Sequence, residues 1–107
     1  MQKLIEDSYK AHLESSYNYR KQAEKVRRLE YGLQRGISDL YFKGMIDGKN
    51  AETRKAQEFE LLPQETDELE KERRAEAELF IEKEQTEIQL EYARAMLRVH
   101  ELAGSGL

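Results

Sequence analysis

The stretch of sequence that decides the fold is residues 75–102, which read AEAELFIEKEQTEIQLEYARAMLRVHEL. At about 100° per residue, its apolar side chains fall on two nearly opposite faces of one helix. One face, the isoleucine stripe, consists of Ala77, Ile81, Ile88, Tyr92, Ala95, Val99 and Leu102. The other, the leucine stripe, consists of Ala75, Leu79, Thr86, Leu90, Ala93 and Leu97. A single partner helix covers only one stripe, so the other is predicted to meet a third helix, a second copy of the chain or a different protein.

A second long helix is predicted from Gln2 to about Ile46, because no proline interrupts that segment. Its main apolar stripe consists of Leu4, Ile5, His12, Tyr19, Ala23, Val26, Leu29, Leu33, Ile37, Leu40 and Tyr41. Three serines, Ser8, Ser15 and Ser16, make the start of this stripe small and polar. They indicate either close helix packing or fraying of the first turns, and we favour fraying. A rougher second face carries Tyr9, Leu13, Tyr17, Tyr31, Phe42 and Met45.

The clearest break in the helical pattern is the segment GMIDGKN at residues 44–50. Asn50 is a good N-cap for a short helix from Ala51 to about Leu62, which should bury Ala56, Phe59 and Leu62. Thr66 is the better candidate for the N-cap of the last helix. We therefore predict an all-α fold, a long antiparallel, coiled-coil-like helical hairpin with a helical elbow at about 51–62. The hairpin domain spans residues 1–103, residues 104–107 form a flexible tail, and copies assemble into a multi-helix bundle.

Charge is segregated along the chain, although the formal net charge is only −4. Residues 1–57 carry 12 basic and 8 acidic side chains, whereas residues 58–91 carry 4 basic and 13 acidic ones. An antiparallel pairing in which residue numbers sum to about 110 brings the two groups together. It places the basic residues Arg20, Lys21, Lys25, Arg27 and Arg28 opposite the acidic residues Glu82, Glu84, Glu87 and Glu91.

The composition argues against several classes of function. The chain has no cysteine, which excludes disulfides and thiolate metal sites, and no apolar run of about 18 residues or signal-peptide core. His12 and His100 lack a third metal ligand, and no Glu-x-x-His motif or catalytic triad pattern is present. We expect a cytoplasmic protein that is not an enzyme and has no cofactor, no metal and no membrane partner.

A resemblance adds a biological context. Residues 40–55, LYFKGMIDGKNAETRK, followed by a Glu/Ala/Leu helix that contains EYARAML at residues 91–97, resemble a pattern in small α-helical accessory proteins of phages and prophages. The resemblance covers residues 37–103. It implies an intracellular accessory protein, in the host cytoplasm if phage-encoded, from among recombination or anti-defence genes, and it carries no catalytic residues.

The function expected from these observations is that of a protein–protein interaction module. It should self-associate, as a dimer, through the four leucine-stripe residues Leu79, Leu90, Ala93 and Leu97, while the pattern leaves open which of the two stripes faces inward. It should also bind a host or phage protein, such as a bacterial defence or replication component, through Tyr9, Tyr17, Tyr31, Arg20, Arg27 and Arg28. Two alternatives stay open. The basic cluster Arg20–Arg28 would suit a nucleic-acid-associated protein, and the acidic segment 58–91 would suit a DNA mimic, although we expect nucleic acid not to be the partner.

Overall fold

The computed structural model describes residues 2–104, and in that range the chain forms three helices and no strand. They are α1 (Gln2–Phe42), α2 (Ala51–Leu61) and α3 (Pro63–Gly104). The long helices α1 and α3 pair as an antiparallel hairpin with α2 as the elbow, which confirms the predicted fold class. α1 is continuous through Gly32 and Gly36. The predicted tail falls outside the described residues apart from Gly104, which is the last residue of α3.

Contacts between Cα atoms divide the chain into two units. The first comprises the described parts of Met1–Lys21 and Ala77–Leu107, and the second is Gln22–Glu76. In the first unit the buried residues are Ser15, Leu90 and Ala93. In the second unit they are Val26, Ile46 and Leu69. Each unit therefore has a narrow seam of buried side chains, as expected where two helices pack without a third layer.

The end of α1 comes four residues earlier than predicted, because Gly44 turns the chain. Gly44 has a φ of +73°, a left-handed conformation that favours glycine. The amide of Met45 donates to the carbonyl of Leu40 at 2.9 Å, and that of Gly44 donates to Tyr41 at 3.0 Å. This is the Schellman pattern of a helix C-terminus. It directs the chain away from the helix axis, and Ile46 becomes buried in the elbow.

The elbow helix α2 begins where the sequence predicts. The Asn50 side chain accepts a hydrogen bond from the amide of Thr53 at 2.8 Å, which confirms the N-cap. Gln57 ties the preceding turn to α2, since its side-chain oxygen accepts from the amides of Asp47 and Gly48. The predicted buried face is wrong in part, because Ala56 is exposed and Phe59 is half exposed. The turn uses the inward side of α2 for hydrogen bonds rather than apolar packing.

The start of α3 differs from the prediction, which placed the N-cap at Thr66. α3 begins at Pro63, and only Leu62 separates it from α2. Proline suits the first helical position, because its φ is already helical and its missing N–H would have no partner there. The Thr66 hydroxyl instead donates to the carbonyl of Leu62 at 2.8 Å, inside the first turn.

The predicted register of the hairpin is wrong by about ten residues, or roughly 15 Å along a helix. In the first unit Ser15 lies opposite Thr86, and in the second Lys25 lies opposite Glu72. The predicted register assumes that the two long helices begin to pair directly at the elbow. In the structure, however, α1 extends past the start of α3, and a Cβ at Gly36 would lie 3.4 Å from Leu62.

Candidate interaction surfaces

The leucine stripe lies inside the hairpin. Ala93 has no exposed surface, Leu90 is 4% exposed, and Leu79 and Leu97 are half-buried. The sequence predicts self-association through these four residues, and their burial within the hairpin corrects that prediction. Side chains that α1 already covers have little surface left for a second copy of the chain.

A layer of hydroxyl groups explains why this stripe faces inward. Ser15 is 3% exposed, and its Oγ lies 2.5 Å from Thr86 Oγ1. Thr86 Oγ1 is also 3.2 Å from His12 Nδ1 and hydrogen bonds to the carbonyl of Lys83. Small side chains allow two helices to approach closely, so the close-packing interpretation of the serines holds at Ser15. Because a buried hydroxyl without a partner is costly, this layer favours one register of the seam.

The isoleucine stripe is exposed along α3. Five of its side chains are more than half exposed: Ile81 (55%), Ile88 (65%), Tyr92 (62%), Val99 (60%) and Leu102 (53%). Single exposed apolar residues are ordinary, whereas an aligned series on one helix face is typical of an interaction surface. The sequence pattern identified this stripe, but it did not reveal that this stripe, rather than the leucine stripe, is the uncovered one.

The N-terminal end of α1 extends the same apolar surface. Leu4 is 44% exposed and, with Ser8, Ile88, Gln89 and Tyr92, lines an open cleft of about 410 Å³. The lining is largely apolar, and its polar groups are the hydroxyls of Ser8 and Tyr92 and the amide of Gln89. The cleft can therefore hold an apolar side chain.

The outer face of α1 carries the tyrosines that the sequence analysis proposed as a partner surface. Tyr9 (48% exposed), Tyr17 (59%) and the exposed Arg20 belong to the first unit. Tyr31 (67%), with the exposed Arg27 and Arg28, belongs to the second. The six predicted residues thus all reach solvent, in two groups of three.

The sequence predicts that Arg27 and Arg28 lie opposite acidic residues of α3, and the structure contradicts this prediction. Within residues 2–104 the ion pairs are Lys25–Glu72, Arg73–Glu30 and Arg74–Glu70. Arg27 and Arg28 therefore have no carboxylate partner among the described residues. Arg35 lies over the ring of Tyr31, 5.9 Å from its centroid. This arginine–tyrosine face is basic and open to solvent.

Glu72 is a charged residue of the hairpin seam that accepts hydrogen bonds from two side chains of α1. Gln22 donates to its carboxylate at 2.7 Å and to its backbone carbonyl at 3.0 Å, and Lys25 donates to the carboxylate at 3.2 Å. These hydrogen bonds, that from Gln22 first, lower the pKa of the Glu72 carboxyl below its ordinary value of 4.5. These contacts hold α1 against α3 at this point of the second unit. The charges of Lys25 and Glu72 are thereby paired with each other within the chain.

The described residues contain no group of three or more His, Cys, Asp or Glu side chains placed to hold a metal ion. None of the helices in residues 2–104 is both long and apolar enough to cross a membrane. Comparison with protein-family models, with curated proteins and with solved structures finds no significant match to this chain. Two surfaces of the described residues are candidate sites: the isoleucine stripe with its cleft, and the outer face of α1.

Proposed function

We propose that this protein is a non-enzymatic interaction module that self-associates through the isoleucine stripe of α3. The observation that carries the proposal is the exposure of Ile81, Ile88, Tyr92 and Val99 along one face. Complete burial of a large apolar side chain contributes about 1.5–3 kcal/mol. Because these side chains are more than half exposed in a single chain, a large share of that stabilisation becomes available when a second chain covers them.

The test of self-association is sedimentation velocity over a range of protein concentrations. The parent should sediment as a dimer, and Ile88→Asp should sediment as a folded monomer with an unchanged helical circular dichroism spectrum. Leu90→Asp, on the covered stripe, should instead lose helical signal because it buries an unpaired carboxylate. A matched control is Tyr31→Asp, which adds the same charge on the other long helix and should leave the dimer intact. A parent that stays monomeric at all concentrations contradicts the proposal.

The second half of the proposed function is the binding of a host or phage protein through the tyrosines of α1. Exposed tyrosine is enriched at interfaces, since it offers a large apolar ring with a polar end. The resemblance of residues 37–103 to phage and prophage accessory proteins supports a bacterial partner, such as a defence or replication component. An affinity capture from bacterial lysate should yield a protein that is lost with Tyr9→Ser/Tyr17→Ser and retained with Ile88→Asp. Equal recovery with both variants would contradict the assignment to this face.

A second candidate function is nucleic-acid binding, favoured by the unpaired Arg27 and Arg28 beside Tyr31 and Arg35. Arginines bind phosphates and aromatic rings stack on bases. Fluorescence titration with single- and double-stranded DNA should then show salt-dependent binding that Arg27→Glu/Arg28→Glu abolishes. Lys49→Glu/Lys55→Glu is the matched control, with the same charge change on exposed residues at the elbow. Absence of binding to both forms of DNA removes this candidate.

The DNA-mimic alternative has less support. Glu72, near the middle of the acidic segment, is engaged by Gln22 and Lys25 and is not presented to a partner. The basic side chains of Arg73 and Arg74 interrupt the acids on the same helix.

A further inference from the structure

We propose that the self-association is an antiparallel pairing of two α3 helices, with Ile81 of one copy opposite Val99 of the second copy. The inference rests on the proposed use of the isoleucine stripe for self-association and adds the direction and register of the helices. The observations that carry it are the spacing of the exposed residues, the kinds of side chain at each position and the charges beside them.

The exposed residues follow a coiled-coil heptad. Their spacing alternates between three and four residues from Gln85 onward, which is the repeat that keeps one seam facing a partner helix. Counted this way, the a positions are Glu78, Gln85, Tyr92 and Val99, and the d positions are Ile81, Ile88, Ala95 and Leu102. The covered leucine stripe falls outside these positions, so the same helix can use both faces at once.

The side chains at these positions disfavour a parallel dimer. Parallel two-stranded coiled coils prefer β-branched residues at a and leucine at d. Here two of the four d positions, Ile81 and Ile88, carry isoleucine, and leucine stands at d only at Leu102. A parallel pairing in register would also place Tyr92 against its own copy, ring against ring, and Gln85 against Gln85.

An antiparallel pairing matches a positions with d positions and gives better contacts. Centred near residue 90, it places Ile81 against Val99 of the second copy and Ile88 against Tyr92 of the second copy. Each contact occurs twice by symmetry. A register shifted by one heptad would pair Ile88 with Val99 and leave Ile81 beyond the end of the described helix. The centred register therefore covers more of the exposed apolar surface.

Charges beside the seam agree with the antiparallel direction. Glu84 and Arg98 occupy g positions, which flank the seam and meet other g positions when two helices run antiparallel. The centred register places Glu84 beside Arg98 of the second copy, twice. Neither residue has an ion pair among the described residues of its own chain. Glu91 then meets its own copy at the centre, but one exposed like-charge pair weakens association less than the loss of two buried isoleucines.

The absence of cysteine from the chain allows a direct test by disulfide formation. Two single variants, Ile81→Cys and Val99→Cys, are oxidised separately and as an equal mixture, then examined on a non-reducing gel. In the proposed pairing, the two copies of residue 81 lie about 27 Å apart, because 18 residues separate them along the helix axis. Each variant alone should thus remain uncrosslinked, and the mixture should give a crosslinked heterodimer.

Each other outcome has a defined meaning. Crosslinking of each variant with itself would show parallel pairing and overturn the inference, while self-association would stand. Crosslinking of Ile88→Cys with Val99→Cys, but not of Ile81→Cys with Val99→Cys, would show the shifted register and also overturn it. A parent that is monomeric by sedimentation would overturn the proposed self-association and this inference together.

A charge exchange gives an independent check that preserves the apolar seam. Glu84→Arg should weaken the dimer several-fold at low salt, and Glu84→Arg/Arg98→Glu should restore it, because both contacts are then complementary again. Failure of the double variant to recover, with its helical spectrum unchanged, counts against the antiparallel register.

Discussion

The two stripes of α3 have similar apolar patterns but opposite positions in the protein. The leucine stripe is covered by α1 and includes small residues, such as Ala93, which is completely buried, and Thr86. The isoleucine stripe combines two alanines with larger residues, and of these Ile88 and Tyr92 remain more than 60% exposed. Apolar content therefore does not determine which face of a helix becomes the core. The covered face is instead determined by how well its side-chain sizes match the opposing helix. Ser15 of α1 requires a small residue opposite it, and Thr86 is that residue.

The largest expected difference between the stripes is in the cost of removing a leucine or isoleucine side chain. Leu90→Ala should lower the free energy of unfolding by about 2–5 kcal/mol, because it leaves a cavity in a covered seam. Ile88→Ala, two residues away and 65% exposed, should change it by about 0.5 kcal/mol or less at low protein concentration. Urea unfolding followed by circular dichroism measures both. Equal costs would mean that the stripes do not differ in burial.

A second comparison enlarges a small residue on each stripe. Ala93→Leu should destabilise the chain by about 1–3 kcal/mol, because a side chain with no exposed surface has no room to grow. Ala95→Leu places the same side chain at an exposed position and should be neutral or slightly stabilising. Thermal melts of the two variants, recorded side by side, distinguish the faces. A stable Ala93→Leu variant would show that the seam can widen.

The hydroxyl layer is expected to have a smaller effect, which a double-mutant cycle can isolate. Ser15→Ala and Thr86→Val should each cost about 1 kcal/mol, since each leaves one buried hydroxyl with fewer partners. The double variant should cost less than the sum, because no hydroxyl is then left in the seam. Strict additivity in urea unfolding would show that the 2.5 Å contact contributes no coupling.

The smallest expected effect concerns Glu72, the charged member of the hairpin seam in the second unit. Because its pKa is lowered in the folded chain, its contribution to stability is present above the ordinary value of 4.5 and is lost as the pH falls through the lowered value. Glu72→Gln should therefore be less stable than the parent near neutral pH, and the difference should disappear in acid. Glu70→Gln, at an exposed ion pair with Arg74, is the matched control and should lower the free energy of unfolding near neutral pH by less than Glu72→Gln does.

Much of the fold could be predicted from local signals in the sequence. Asn50 as a helix cap, the break in the helical pattern at residues 44–50 and the continuous apolar periodicity of both long helices each depend on residues close together in the chain. The tyrosines of α1 were correctly placed on an exposed face for the same reason. Helical periodicity assigns residues to faces whatever the tertiary contacts are.

The register and the covered stripe could not be predicted in the same way. Lys25 has several acidic residues within reach of a plausible pairing, and charge segregation alone does not choose Glu72 among them. The choice depends on how far α1 extends past Leu62 and on the hydroxyl contact of Ser15 with Thr86. Both are distances between helices, and periodicity contains no information about such distances.

The elbow also has a consequence for the order in which the chain folds. The contact of Tyr41 with Glu58 closes 17 residues, that of Lys25 with Glu72 closes 47, and that of Ser15 with Thr86 closes 71. Once the elbow forms, each later contact requires only a short additional closure, so folding should proceed from the elbow towards the chain ends. Until the last step, both stripes of α3 beyond Ala77 are uncovered. Rapid closure from the elbow would thus limit the time in which a second copy can bind the leucine stripe in place of α1.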